Sequence, residues 1–327
     1  MDLKNRAVLV TGAGGFIGSH LAELLVELGA KTRAMVHYRS NGSWGWLDES
    51  PHRSAIEIIA GDIRDRTQVT AAMKGIDVVF HLAALIGIPF SYEAPGSYVQ
   101  TNIEGTLNVL EAARVLGTSL VVHTSTSEVY GTARYAPINE SHPLQGQSPY
   151  AATKIAADKL VESFHLSYGM PVVTVRPFNT FGPRQSERAI VPTIIAQLLS
   201  SDRIRLGNLA PTRDLNYVAN TVDGFILAAS SPSAVGKTLN IGSGRETSIG
   251  NLVELISKVA GRAFRVETDQ KRERPPQSEI DRLVADSSLA RTTIGWEPRI
   301  SLEDGLRSTM EFIRANLSRY RPAIYAR

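Results

Sequence analysis

The feature that most restricts how this chain can fold is an apolar run followed at once by three regularly spaced glycines. Residues 7–11 have the pattern of a buried β-strand, and Gly12, Gly15 and Gly18 then open an amphipathic segment over 16–28. The first glycine permits a tight turn, the second lets the backbone approach a pyrophosphate, and the third allows close packing of helix on strand. Between a predicted strand and a predicted helix, this spacing predicts a dinucleotide-binding turn. The expected contacts are Gly12, Gly14, Gly15, Phe16, Ile17 and Gly18.

Short β-branched runs alternate with longer amphipathic segments through the first half of the chain. Further strands are predicted over 31–37, 55–60, 77–82, 119–124 and 171–176, and helices over 98–116 and 150–168. Strands separated by helices pair in parallel through right-handed crossovers, so the expected fold is α/β with a doubly wound parallel sheet, a Rossmann fold. Beyond Pro177, proline and glycine recur and the strand-like pieces shorten. We therefore expect a dinucleotide-binding domain over 1–177, to which 218–241 returns, and a smaller substrate-binding lobe mainly over 178–327.

Composition excludes several classes of protein. The 327 residues are 43% hydrophobic and 20% charged, so the chain can bury a core and is not disordered. It has no apolar stretch of about 18 residues and no secretory leader pattern, which predicts a cytoplasmic protein without a membrane partner. There is no cysteine, and the seven histidines lack metal-ligand spacing, so no metal site is expected. The net charge of +3 is not clustered on any basic tract, which argues against nucleic acid as a partner.

The end of the second predicted strand bears on which dinucleotide is bound. NAD is usually held there by an acidic side chain on the ribose 2′-hydroxyl, but the residues present are His37, Arg39 and Ser40. Arg39 and Ser40 would suit a 2′-phosphate, which favours NADP, with NAD held by a backbone amide as the alternative. Asp62 and Ile63, after the third strand, are placed to meet the adenine, although Asp62 could instead cap the next helix.

A second group of polar residues indicates redox chemistry at the carboxyl edge of the sheet. Thr124, Thr126 and Ser127 follow the fifth predicted strand, where doubly wound folds bind ligands. Tyr150 and Lys154 lie four residues apart on one helical face. The lysine charge would lower the pKa of the phenol and the ammonium would hydrogen-bond the nicotinamide ribose. Tyr150 could then act as a base near neutral pH.

Together these motifs resemble the extended short-chain dehydrogenase/reductases of the nucleotide-sugar epimerase/dehydratase group. The resemblance extends through 81–84, Asn102, 124–131, 176–184 and 211–214, and so covers essentially the whole chain. It implies further contacts of the cofactor with Leu82, Ala83, Ala84, Asn102, Thr124 and Pro177. For the nucleotide-diphosphate sugar it implies contacts with Thr126, Asn179, Arg184, Val191, Arg213 and Arg274, the arginines being suited to phosphates.

Loop motifs over 43–48, 146–150 and 184–186 narrow the resemblance. They are similar to 4,6-dehydratases that act on nucleotide-linked N-acetylglucosamine in legionaminic-acid-type sugar biosynthesis. Dehydratases and decarboxylases of this group carry an acid at Glu128, which is implied to remove the C5 proton. Ser127 stands where related dehydratases often have Asp, and is implied to relay a proton to the leaving C6 hydroxyl. For Glu128, a structural salt bridge is the alternative.

Several functions remain open on these residues. The first is a 4,6-dehydratase acting on a UDP- or GDP-linked sugar with a tightly held, recycled NAD(P). A 4-epimerase and an enzyme resembling UDP-glucuronate decarboxylase are the enzymatic alternatives, and a non-catalytic dinucleotide sensor on the same fold is a third. Retention of Tyr150, Lys154 and Glu128 argues against the sensor. The resemblance also implies a homodimer in which 98–116 and 150–168 form a four-helix bundle.

Overall fold

The computed structural model of the chain describes residues 2–269, 272 and 275–321. Its strands, in chain order, are β1 (Ala7–Thr11), β2 (Lys31–Val36), β3 (Glu57–Ala60), β4 (Val78–His81), β5 (Leu120–Thr124), β6 (Val172–Pro177), β7 (Thr180–Phe181), β8 (Arg203–Leu206), β9 (Thr212–Asp214), β10 (Asn216–Tyr217), β11 (Thr238–Ile241), β12 (Glu246–Ser248) and β13 (Arg265–Thr268). Its helices are α1 (Phe16–Glu27), α2 (Arg66–Met73), α3 (Ile88–Glu93), α4 (Pro95–Tyr98), α5 (Gly105–Leu116), α6 (Pro149–Tyr168), α7 (Ile190–Ser200), α8 (Val218–Ser230), α9 (Ile249–Ala260), α10 (Ser288–Ile294) and α11 (Leu302–Ala315).

Seven strands form one parallel sheet in the order β3-β2-β1-β4-β5-β6-β11. This confirms the predicted doubly wound α/β fold. The order reverses between β1 and β4, and such a switch point opens a crevice at the carboxyl ends of the strands. Segment 218–241 supplies α8 and β11, and β11 extends the sheet at its β6 edge.

Both faces of the sheet are covered, which is why its central strands are buried and consist mostly of apolar residues. In β1, Val8 and Val10 face a core shared with α1 and α8, whereas Leu9 faces a second core shared with α2, α5 and α6. A third core lies in the C-terminal lobe, where α7, α9 and α11 pack around short strand pairs. In the described part of the chain, no helix is both long and apolar enough to cross a membrane.

The helix predicted over 98–116 differs from its expected form. Pro95–Tyr98 begins it, Val99–Glu104 follows as π-helical turns, and α5 continues to Leu116. A π turn widens the helix and frees backbone groups from their usual partners. Here the Thr106 hydroxyl donates to the carbonyl of Asn102 at 2.7 Å, which satisfies one of them. The side chain of Asn102 makes its hydrogen bonds outside this helix, to Leu85 and Thr153.

Candidate active site

The turn after β1 has the shape required to hold a dinucleotide. Gly12 adopts a φ of 71°, and a Cβ there would lie 2.9 Å from the backbone of Ala83. A Cβ on Gly18 would collide with the carbonyl oxygen of Gly12. The turn therefore presents bare backbone at the N-terminus of α1, a site that suits a pyrophosphate. The loop over 43–49 closes one side of it, since Trp46 N donates to Gly14 O at 3.1 Å.

The segment after β4 is fixed to both the glycine turn and α6. The Thr11 hydroxyl accepts hydrogen bonds from the backbone N–H groups of Leu82 and Ala83, both at 3.1 Å. Asn102 accepts from Leu85 N at 2.8 Å and donates to Leu85 O and to Thr153 Oγ1, both at 3.0 Å. The side chain of Asn102 therefore clamps these protein segments together.

Tyr150 enters the site on the first turn of α6. Ser148 caps that helix by accepting from Ala151 N, and Pro149 occupies its first position. The Tyr150 side chain is buried, it is hydrogen-bonded to Thr126, and the edge of its ring meets the ring of Tyr98 with centroids 6.3 Å apart. These contacts hold the phenol directly opposite the turn that follows β5.

Glu128 brings a carboxylate to the same place. Its backbone N–H donates to Thr126 Oγ1 at 3.2 Å within a short 3-10 turn, and its negative charge acts on the Tyr150 phenol. The residue is buried, as is Ser127 beside it. Within the described ranges the carboxylate has no hydrogen-bond or ion-pair partner, so the alternative of a structural salt bridge is not supported.

The protonation of Tyr150 and Lys154 differs from the sequence expectation. Burial raises the pKa of Tyr150, and this outweighs the lowering effect of the hydrogen bond to Thr126. Lys154 Nζ donates to Thr124 O at 2.6 Å. Burial lowers the pKa of Lys154 to about 8, against the opposing effect of Asp158. Any lowering of the Tyr150 pKa by Lys154 is therefore outweighed in this structure, because desolvation dominates the environment of the phenol.

At the adenosine end of the crevice, Arg39 and Ser40 are both exposed after β2. His37 Nε2 lies 3.6 Å from Asp62, whose carboxylate is held by hydrogen bonds from Arg64; those bonds lower the Asp62 pKa. Asp62 does not cap α2, since Asp65 does. Ile63 is buried in the core shared with α2 and α5, so only its backbone is available to an adenine.

The residues expected to bind the substrate fall into different environments. Asn179 Oδ1 is buried with no hydrogen-bond partner among the described residues, which suits a site that receives a donor from a ligand. Arg213 is buried, and it donates to Ile280 O at 2.7 Å and to Glu279 at 3.1 Å. Val191 packs its side chain into the core around α7. Arg274 lies outside the described residues.

Arg184 has a structural partner that the motif does not reveal. Its two terminal nitrogens donate to the Glu23 carboxylate on α1 at 2.9 and 3.0 Å, and the pair is largely buried. His20 Nε2 lies 3.1 Å from the carbonyl of Pro183, next to it. This guanidinium therefore fastens the turn after β7 to the first helix.

Two groups near the site were missed by sequence reasoning. Tyr98 supports the ring of Tyr150, and nothing in its sequence context predicted this. Asp158 forms a buried ion pair with Arg176 at 2.9 Å behind Lys154. Its position four residues after Lys154 was a signal that could have found it, since residues at that spacing share a helical face.

The doubly wound sheet and the glycine turn at the N-terminus of α1 together define a dinucleotide-binding fold. The family model for GDP-mannose 4,6-dehydratase matches residues 9–309 of the chain. The UDP-glucose 4-epimerase of Mycolicibacterium smegmatis is 34% identical over 314 residues, which cover 94% of this chain and 98% of that protein. The chain therefore belongs to the extended short-chain dehydrogenase/reductase family of nucleotide-sugar dehydratases and epimerases.

Solved structures of relatives agree with this assignment. The UDP-N-acetylglucosamine 4-epimerase of Methanobrevibacter ruminantium superimposes with a TM-score of 0.86 at 33% identity, covering 96% of this chain and 99% of its own. DesIV, a dTDP-glucose 4,6-dehydratase of Streptomyces venezuelae solved with NAD and TYD bound, superimposes with a TM-score of 0.85 at 28% identity. That match covers 97% of this chain and all of DesIV. Together with the glycine turn, the family supports NAD(P) as the cofactor.

The Arg184–Glu23 pair allows a test of the structural role of Arg184. Arg184→Gln and Glu23→Gln should each lower the free energy of unfolding by about 1–3 kcal/mol, because each leaves a largely buried charge unpaired. The double variant should lose less than the sum, by about 1 kcal/mol or more in urea unfolding. Arg188→Gln, an exposed arginine in the same segment, is the matched control. Additive losses in the double variant would show that the two side chains act independently.

Proposed function

We propose that the protein is a nucleotide-sugar 4,6-dehydratase, which converts UDP- or GDP-linked N-acetylglucosamine into a 4-keto-6-deoxy sugar. The observation that carries the proposal is the carboxylate of Glu128, which acts on the Tyr150 phenol, has no protein partner among the described residues and keeps its oxygens accessible although the residue is largely buried. A plain exchange of hydride at C4 has no need of a second base. Removal of the C5 proton does need one, and an accessible, unpaired carboxylate beside Tyr150 suits that role.

The proposed reaction divides the work among the residues of the site. Tyr150 takes the proton of the C4 hydroxyl as that carbon is oxidised. Glu128 removes the C5 proton, which the new C4 ketone has made acidic. Ser127 or Glu128 then delivers a proton to the C6 hydroxyl, which leaves as water, while Thr126 hydrogen-bonds the sugar. The bound nicotinamide supplies the acceptor for the C4 hydride and afterwards the donor for C6, and C5 regains a proton.

The cofactor also bears on the protonation of Tyr150. Burial raises the pKa of this phenol, so the phenolate is disfavoured near neutral pH unless a positive charge lies beside it. Lys154, at the next turn of α6, and a positively charged nicotinamide ring are the two candidates for that charge. Proton transfer to Tyr150 is therefore expected to be coupled to binding of the oxidised cofactor.

A 4-epimerase is the second candidate, and the relatives from Mycolicibacterium smegmatis and Methanobrevibacter ruminantium favour it. Ser127 stands where related dehydratases often have Asp, and this keeps decarboxylation as a third possible reaction. Mass spectrometry of the product separates the three reactions. Loss of water from UDP-N-acetylglucosamine supports dehydration, a product of unchanged mass supports epimerisation, and loss of carbon dioxide from a nucleotide-linked uronate supports decarboxylation.

Glu128→Gln provides the sharpest test of the dehydratase. The variant should lose the dehydrated product by a factor of about 100 or more, since removal of a general base typically costs 10²–10⁴-fold. It should still reduce the cofactor on mixing with substrate, measured as the absorbance band of the reduced nicotinamide, because the C4 step uses Tyr150. Tyr150→Phe should lose both signals, and Glu104→Gln, an exposed acid, should lose neither. Unchanged product formation by Glu128→Gln would contradict the mechanism.

At the adenosine end, we propose a preference for NADP over NAD. Exposed Arg39 and Ser40 after β2 support it, whereas DesIV was solved with NAD. The dissociation constant for NADP should be lower than that for NAD, and Arg39→Ala should raise only the NADP value, by about tenfold, since it removes a charged hydrogen bond. Arg66→Ala, also exposed, is the control for charge alone. Tighter binding of NAD to the unmodified protein would refute the preference.

We further propose a homodimer formed through α5 and α6. Their solvent faces carry several apolar side chains, of which Leu166 is 76% and Val115 is 64% exposed. The Arg114 guanidinium lies 5.2 Å from the Tyr168 ring centre and joins the two helices at this surface. Leu166→Lys and Val115→Lys should each shift the mass in solution from dimer to monomer, measured by light scattering, because a charge at such a contact is desolvated. Val266→Lys, at a 37% exposed position on β13 of the C-terminal lobe, should leave a dimer; a monomeric wild type would exclude the proposal.

A further inference from the structure

A buried cluster of charges lies directly behind Lys154. Asp158 follows Lys154 by four residues on α6, so both side chains project from one face of the helix. The Asp158 carboxylate accepts hydrogen bonds from Ser125 Oγ at 2.8 Å and from Arg176 Nε and Nη2 at 3.1 and 2.9 Å, and lies 3.2 Å from His123 Nε2. All of these side chains are buried. Strands β5 and β6 thus fix a carboxylate one helical turn from the lysine.

Lys154 depends on such a neighbour to keep its charge. The side chain is buried, its ammonium donates to Thr124 O, and no carboxylate of the described residues lies within ion-pair distance of it. Removing an ammonium from water costs several kcal/mol unless an opposite charge lies close by. Burial lowers the pKa of Lys154 to about 8, and the charge of Asp158 opposes that effect.

Asp158 is ionised under the conditions in which the enzyme would work. Burial acts against its charged form, but the hydrogen bond from His123 and the charge of Arg176 together hold its pKa at about 2. Arg176 is itself held by a second bond, from Nη1 to the Tyr130 hydroxyl at 2.9 Å. The carboxylate therefore has a fixed position and a constant negative charge.

We propose that Asp158 is a positioning residue that keeps Lys154 in its ammonium form, and that Arg176 limits how strongly the Asp158 charge acts on the lysine. The inference rests on the oxidation step of the proposed function, in which Lys154 binds the cofactor ribose as an ammonium. The cluster contains two cations and one anion. With Asp158 neutral, two buried cations would lie together, and only the lysine can release a proton, because arginine does not. With Arg176 replaced by a neutral residue, the whole Asp158 charge would act on Lys154.

Other titratable groups lie around the cluster and remain the same in every variant. Burial lowers the pKa of His81 and of His123, so both rings are neutral near neutral pH. The remaining groups are Tyr150 and Glu128 on the side of the active site, Tyr130 against Arg176, and the lining of a cavity behind Asp158 that contains Glu140, His142, Lys159, Glu162, His165 and Lys237.

The test compares the pH dependence of Asp158→Asn and Arg176→Gln. The ammonium form of Lys154 is present below its pKa and is lost as the pH rises, so the wild-type kcat should fall above about pH 8. In Asp158→Asn this alkaline limb should move to lower pH by about one unit or more, which at pH 8 is about a fivefold loss of kcat and approaches tenfold at higher pH. In Arg176→Gln it should move to higher pH. Asp158→Glu, which keeps the charge, should retain the wild-type limb.

A second readout separates this inference from the proposed function. The second readout is binding of the nicotinamide dinucleotide, followed by quenching of tryptophan fluorescence across the same pH range. Compared with wild type, the dissociation constant should begin to rise at a lower pH in Asp158→Asn and at a higher pH in Arg176→Gln. These shifts should appear even if the protein turns over no nucleotide sugar. An absence of turnover would contradict the proposed function but not this inference. If Asp158→Asn fails to fold, Arg176→Gln and Asp158→Glu carry the test. The proposal would be overturned if the folded variants showed lower activity and weaker binding at every pH, with the alkaline limb of the pH profile at its wild-type position.

Discussion

Parallel pairing of the central strands is the constraint on which the rest of the molecule depends. Parallel strands joined by helical crossovers all end at the same edge of the sheet. Thr11 is therefore in register with His81, and His81 with His123, so the turns that follow β1, β4 and β5 project side by side. The glycine turn, the clamped segment at Leu85 and the turn at Glu128 meet for this reason alone. Helix α6 then needs only to cross this edge to bring Tyr150 into the crevice.

The chemistry of the site follows from which buried polar groups have partners. Asp158, Arg176 and Lys154 are held by neighbouring strands and the backbone, whereas the Glu128 carboxylate and Asn179 Oδ1 have no partner among the described residues. A buried polar atom without a hydrogen bond costs about 1–3 kcal/mol. That cost applies to Asn179 Oδ1, whereas the oxygens of the unpaired Glu128 carboxylate keep contact with solvent.

The parts of the site that were predictable from sequence are those governed by local spacing. The glycine turn and the Tyr150–Lys154 pair each depend on residues within one element, and their positions follow from strand or helix geometry. The partner of Arg184 was not predictable, because Glu23 is 161 residues away and is brought to it only by the tertiary fold. The raised pKa of Tyr150 was missed for a related reason, since desolvation depends on every element around the phenol.

The sequence by itself determined the α/β class, the dinucleotide turn and the identity of the reactive side chains, because backbone conformation and residue chemistry are local properties. Only the tertiary structure decided which of those side chains are free to react. It joined Arg184 to Glu23, used Asn102 as a clamp, and placed Asp158 behind Lys154 while leaving Glu128 unpaired. Burial and pairing are long-range quantities, set by how strands and helices distant in sequence pack together, and they determine the charge that each group carries.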